Sequence, residues 1–218
     1  MTSPLSSSIS DAVKPGNAST AGVPTPSGPN APNGQYFQQL DLCAPSPYPR
    51  SWYVRKALWA VVQTLLFRPS PRRLMGFRIW LVNRFGGRVD RTCVLRPSCK
   101  ITHPWLLTMG PYATLAENVT VYNLGPISIG PHTVISQNVH LCNGTHDYRD
   151  RSLPLVCPTM TIGGGVWVCA DAFVGPGVTI GDNTIVAARA VVTKDAPSNS
   201  ILGGNPARVL RERPAPTK

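Results

Sequence analysis

A step of six residues runs through the middle of this chain. It predicts an all-β repeat fold: a left-handed parallel β-helix of about five coils, with an N-terminal helical segment and a disordered N-terminal tail. Aliphatic residues recur at Val89, Leu95 and Ile101, at Met109, Leu115 and Val121, and at Ile129, Ile135 and Leu141. After an interruption they resume at Ile162, Val168, Val174, Ile180, Val186 and Val192. Leu, Ile, Val and Met make up 53 of 218 residues, so fifteen such positions in step do not arise by chance. The residue four beyond each is usually small, as at Cys93, Cys99, Ala113, Thr133, Ala172 and Ala190. Finally, 19 Gly and 23 Pro are too many for a helical bundle, and they lack the strict period of collagen.

The elements follow in order. Residues 1–49 hold 9 of the 23 Pro and only three charges, Asp11, Lys14 and Asp41. Such a segment buries too little apolar surface to offset its ordering entropy, so disorder is expected, with a short ordered stretch near Tyr36-Phe37. Residues 50–88 carry nine basic residues (Arg50, Arg55, Lys56, Arg68, Arg72, Arg73, Arg78, Arg84, Arg88) and no acidic one. Ser51 can cap a helix running to about residue 67, which Pro69 and Pro71 break. A second helix over about 72–85 ends at Gly86-Gly87. This basic, Trp-rich pair is open to two readings: a cap packed on the next domain, or an amphipathic face held on anionic lipid. Nucleic acid is not expected, because no recognised binding module accompanies the charge.

Residues 89–197 form the β-helix. Six is neither a helix nor a strand period. Each hexad makes one short strand and a corner, and three hexads make a coil. Five coils at about 4.8 Å per layer rise roughly 24 Å. Residues 198–218 form a C-terminal extension. Between Leu141 and Ile162 the step is 21 residues, so about fifteen leave the prism as a loop. Long loops in compact domains tend to be functional, and His146 lies at the start of this one. No run of 18 apolar residues occurs, the first 47 residues hold no signal-peptide core, and the six Cys include no C-x-x-C pair. A reduced, cytoplasmic protein is expected, peripheral at the inner membrane face if the helices meet lipid.

Two stretches resemble a known family. One runs Ile162-Gly163-Gly164-Gly165-Val166-Trp167-Val168 and on to Phe173-Val174-Gly175-Pro176-Gly177-Val178-Thr179-Ile180-Gly181. The other is Ala190-Val191-Val192-Thr193-Lys194-Asp195 followed by Gly204-Asn205-Pro206-Ala207-Arg208. Over residues 50–212 the chain is similar to the hexapeptide-repeat acetyltransferases that use acetyl-CoA. With Asn143-Gly144-Thr145-His146-Asp147-Tyr148 and the basic segment, it looks most like the colanic acid biosynthesis group. The galactoside and maltose enzymes carry His-Pro where this chain has His146-Asp147, a departure that points away from a simple sugar acceptor.

The resemblance implies direct transfer from acetyl-CoA to a hydroxyl of a sugar or exopolysaccharide precursor. An attacking hydroxyl must lose a proton, and imidazole suits that task near neutral pH; the resemblance gives the role to His146. It implies a CoA groove with Trp167 near the pantetheine, the Ala170 amide facing the thioester, and backbone contacts from Ala188. Thr193, Lys194, Arg208 and Arg211 would hold the nucleotide and phosphates. Asn123 and Asp147 are candidate acceptor contacts; Asn123 has a plainer reading as a turn residue, and Asp147 either orients a neighbour or is a loop carboxylate. The family associates as homotrimers with CoA between neighbouring prisms. None of the Cys carries a nucleophile motif. His103, His132 and His140 are expected at the surface or an interface. His140 and His146 stand at His-x5-His spacing without a third ligand, so no metal is expected. Acetylation of another small molecule, such as an antibiotic, and a non-catalytic β-helix scaffold are the alternatives.

Overall fold

Every hexad closes on the prism axis. All fifteen aliphatic positions from Val89 to Val192 are buried, none more than 4% exposed. Burying such a side chain contributes about 1.5–3 kcal/mol, so the axial column is the main source of cohesion. The small residues four positions on are buried as well. Each follows a corner whose backbone is left-handed in most coils, with φ of 55–61° at Tyr112, Asn118, His132, Asn138, Asp171, Asn183 and Arg189. Asn and Asp, common among these, are enriched in that region.

This computed structural model describes residues 40–215. Tyr36-Phe37 and the rest of the expected disordered tail up to residue 39 lie outside the described residues. Three parallel sheets form the sides of the prism. The first face stacks Arg88–Val89, Leu107–Met109, Ile127–Ile129, Met160–Ile162 and Thr179–Ile180. The second stacks Val94–Leu95, Thr114–Leu115, Val134–Ile135, Trp167–Val168, Ile185–Val186 and Ser200–Gly204. The third stacks Lys100–Ile101, Thr120–Tyr122, His140–Cys142, Phe173–Val174 and Val191–Val192. Ala196 bridges to Ile180 and begins a partial sixth coil. Ala207–Glu212 then turns back antiparallel to Ser200–Gly204 and ends the second face.

Two helices close the other end. Helix α1, Arg50–Val62, starts after Pro49 with no side-chain cap and widens into a π turn over Gln63–Phe67. Ser51 therefore lies inside the helix and does not cap it. Helix α2 is Met75–Arg84. Their side chains satisfy the open edge of each face of the first coil. Asn83 exchanges two hydrogen bonds with Val89 (2.8 and 2.9 Å). Arg78 Nε donates to Leu95 O at 2.7 Å. Trp59 Nε1 donates to Ile101 O at 2.6 Å, and Gln63 Oε1 accepts from Ile101 N at 2.7 Å. Exposed sheet edges invite unwanted pairing, and here all three are occupied. Arg78 is fully buried, with its nitrogens on Leu95 O, Pro71 O, Arg72 O and Ser70 Oγ. Burial lowers its pKa.

Residues 40–49 differ from the disorder expected of them. Leu40–Leu42 form a 3-10 turn, and Ala44 N donates to Ser152 O at 2.9 Å. Tyr48 Oη donates to Leu124 O at 2.7 Å and lies 3.3 Å from Cys157 Sγ. Burial and the neighbouring thiol raise the Tyr48 pKa. One aromatic ring stacked on Trp52 anchors a strap that composition alone reads as unstructured.

Candidate active site

The interruption after Leu141 leaves the edge between the third and first faces. It is a hairpin, not a structureless loop: Thr145–His146 pairs antiparallel with Leu155–Val156. The tip is held by short polar bonds. Asp147 accepts from Arg149 Nε at 2.9 Å and Nη2 at 3.1 Å, and Asp150 Oδ1 accepts from Ser152 N and Oγ at 2.8 Å. Leu153, left-handed at φ 45°, turns back on His146. Its carbonyl oxygen lies 2.6 Å from His146 Nδ1. A carbonyl can only accept, so Nδ1 carries the proton and Nε2 is left as the ring nitrogen with a lone pair. The imidazole is exposed and lines a cleft with Thr145, Asp147, Tyr148, Arg149 and Val156.

Asp147 does not orient His146. Its carboxylate is bound to Arg149, which holds its pKa below the usual carboxylate range. Asn123 is fully buried and engaged with His103: Oδ1 accepts from His103 N at 2.9 Å, and Nδ2 donates to His103 O at 2.6 Å. It braces one coil against the next and presents no face to solvent. His103 is a correction to the expectation of a surface residue. It is 2% exposed, packed among Tyr48, Trp52 and Trp105, with Nδ1 3.0 Å from Asn123 O. His132 is exposed and stacks on Tyr112. His140 lies between Tyr122 and Phe173, its Nε2 buried with no hydrogen-bond partner among the described residues. Burial lowers the pKa of both His103 and His140.

The remaining candidates divide between two edges of the prism. Trp167 stands half exposed on the outer second face, donating from Nε1 to Ser136 Oγ at 3.0 Å. Register carries that row outward from Trp167 to Ile185, Ile201 and Arg211. Ala170 and Ala188 follow at the corner between the second and third faces, stacked on successive coils, with Arg189 N donating to Ala170 O at 2.9 Å. Arg208 is exposed on the same terminal strand as Arg211. Thr193 and Lys194 are exposed at the other edge, between third and first faces, below the corner from which the His146 hairpin departs. A single prism thus keeps His146, Thr193 and Lys194 apart from Trp167, Ala170, Ala188, Arg208 and Arg211.

Two groups in this arrangement carry no sequence signature. Leu153 acts through its backbone carbonyl, which no side-chain signature marks. Ser136 is one of many small polar corner residues. Among the described residues no cluster of three or more His, Cys, Asp or Glu could hold a metal ion.

Comparison with known proteins agrees with the repeat and the prism. Residues 159–194 match the bacterial transferase hexapeptide (six repeats). Over 160 residues the chain is 45% identical to the "Putative colanic acid biosynthesis acetyltransferase WcaF" of Escherichia coli (strain K12), covering 73% of this chain and 88% of that one. The chain belongs to the colanic acid biosynthesis acetyltransferase family of hexapeptide-repeat enzymes. It is 36% identical over 98 residues to galactoside O-acetyltransferase of the same organism, 44% of this chain and 48% of that one. Among solved structures, a hexapeptide-repeat acetyltransferase of Vibrio cholerae complexed with acetyl coenzyme A superposes with TM-score 0.69 at 25% identity, over 76% and 91% of the two chains. Galactoside acetyltransferase in complex with coenzyme A gives TM-score 0.69 at 26% identity, over 78% and 86%.

Proposed function

We propose that this enzyme moves an acetyl group from acetyl-CoA to a hydroxyl of a sugar or exopolysaccharide precursor, with His146 as general base. The observation that carries the reading is the 2.6 Å bond between His146 Nδ1 and Leu153 O. It fixes the tautomer in which Nε2 can take a proton. The acceptor oxygen then attacks the thioester carbonyl carbon, the carbon–sulfur bond breaks, and the imidazolium returns the proton to the departing CoA thiolate. The Ala170 amide is suited to hold the developing oxyanion. Lys194, Arg208 and Arg211, exposed and cationic, suit the phosphates of CoA.

The division of these residues between two edges supports assembly as a homotrimer. The His146 edge of one prism would face the Trp167 edge of its neighbour, so each site draws on two chains.

The test is acetyl transfer to a panel of lipid-linked and free sugars, followed by mass spectrometry. His146→Ala should cut turnover about 10²–10⁴-fold with melting temperature and acetyl-CoA affinity unchanged. His132→Ala, on an exposed corner, should lose little. Retention of most turnover by His146→Ala with the modified acceptor would remove this base.

A further inference from the structure

Helix α1 is apolar on both of its long sides. Trp59, Val62 and, in the π turn, Phe67 pack on the first coil. On the other side Val54, Leu58, Val61 and Leu65 follow at steps of four, three and four, which align them in one stripe. They are 62, 57, 55 and 65% exposed. A contiguous exposed apolar stripe of this kind marks an interaction surface. Cations bracket the stripe: Arg50 lies one turn before Val54, and Arg68 one turn after Leu65. Within 50–88, Arg78 and Arg55 turn inward and Arg72 meets Glu117 at 3.1 Å. Arg50, Lys56, Arg68 and Arg73 are exposed and form no ion pair among the described residues. The whole segment contains no acidic residue. On α2, Trp80 is 58% exposed and stacks on Phe77, an aromatic type favoured at lipid–water boundaries.

We propose that this face docks on a bilayer surface rich in anionic phospholipid. The Val54–Leu65 stripe enters the boundary between headgroups and acyl chains while Arg50, Arg68 and Arg73 meet lipid phosphates. Among the described residues no helix is long and apolar enough to cross a membrane, so α1 lies in the plane of the surface. A second copy of the chain is a poorer occupant. A two-fold contact through this face would oppose the same arginines with no carboxylate to answer them. Docking goes beyond the acetyl chemistry: it brings the enzyme to an acceptor carried on lipid.

The experiment is sedimentation of the full chain with vesicles of phosphatidylcholine alone or mixed with phosphatidylglycerol. The protein should bind the mixed vesicles selectively, and added salt should weaken binding. Arg68→Gln with Arg73→Gln should lower partitioning about 30-fold, the loss expected for about 1 kcal/mol per basic residue. Leu58→Ser with Leu65→Ser should lower it as well. Both pairs are exposed, so melting temperature and turnover on a water-soluble acceptor should match the parent, which separates docking from catalysis. If the leucine pair does not fold, the arginine pair still decides. Equal binding to neutral vesicles, no binding to anionic ones, or binding unchanged in both variants overturns the proposal. So does a leucine variant that dissociates the oligomer in light scattering without altering vesicle binding, since the face would then join copies of the chain.

Discussion

The Leu153 carbonyl holds His146 in the way a carboxylate holds the base in many catalytic pairs, but without a charge of its own. The nearby carboxylate, Asp147, is occupied by Arg149. Sequence places His146 at the mouth of the insertion and cannot see Leu153, because a backbone acceptor leaves no trace in residue identity. Asn123 is the opposite case: its type suits acceptor binding, and only the two bonds to His103 reveal its structural engagement. On the donor side, the proposed phosphate contacts of Lys194 and Arg208 predict that Lys194→Ala or Arg208→Ala weakens acetyl-CoA binding, each by the loss of a charge-assisted hydrogen bond worth about 1.5–3 kcal/mol. Calorimetry with an unchanged dissociation constant for both would locate the nucleotide elsewhere. His103 and His140 supply a pH dependence. Burial depresses both, so the folded chain binds fewer protons than the unfolded one. Their contribution is complete above the unfolded value of about 6.5 and is lost as pH falls through it. Melting temperature should therefore drop on acidification from about pH 7 to 5. A double variant, His103→Gln with His140→Gln, should drop less over that interval. Equal slopes for the two proteins would reject the assignment.

At the scale of elements, the hexads were legible because a six-residue period must place one side chain on the axis of each short strand. The helices were legible in outline from Pro69, Pro71 and Gly86-Gly87. Their task was not. The bonds from Asn83, Arg78, Trp59 and Gln63 to the first coil depend on which edge each helix crosses. The hairpin of the insertion has no signature in the sequence, since two-residue strands carry no detectable alternation. Coil stacking offers a direct test. A Cβ at Gly130 would lie 2.5 Å from Gly163 C and Gly164 N, where backbone cannot yield. Gly130→Ala should wedge apart the two coils flanking the insertion and cost about 1–3 kcal/mol. Gly76→Ala, with nothing within 4 Å of the added carbon, is the control and should be neutral or better. Equal unfolding midpoints in denaturant would show that the coils can part without penalty.

For the whole molecule, the proposed roles, divided between two edges, predict that activity depends on oligomeric state. Light scattering should give three chains per particle. Mixing His146→Ala chains with Trp167→Ala chains should restore part of the turnover, since some interfaces would join two intact edges. A fully active monomer would remove the shared site. A different consequence lies in the insertion. The chain departs after Cys142 and re-enters with Ile162 still paired to Ile129, so the detour does not disturb the register of the coils beyond it. Selection can therefore lengthen, shorten or exchange the hairpin at little cost to the stack, while the coils that would serve the donor stay fixed. Divergence of acceptor preference among descendants of such a chain should be concentrated between residues 145 and 156, a short cassette on an inherited frame.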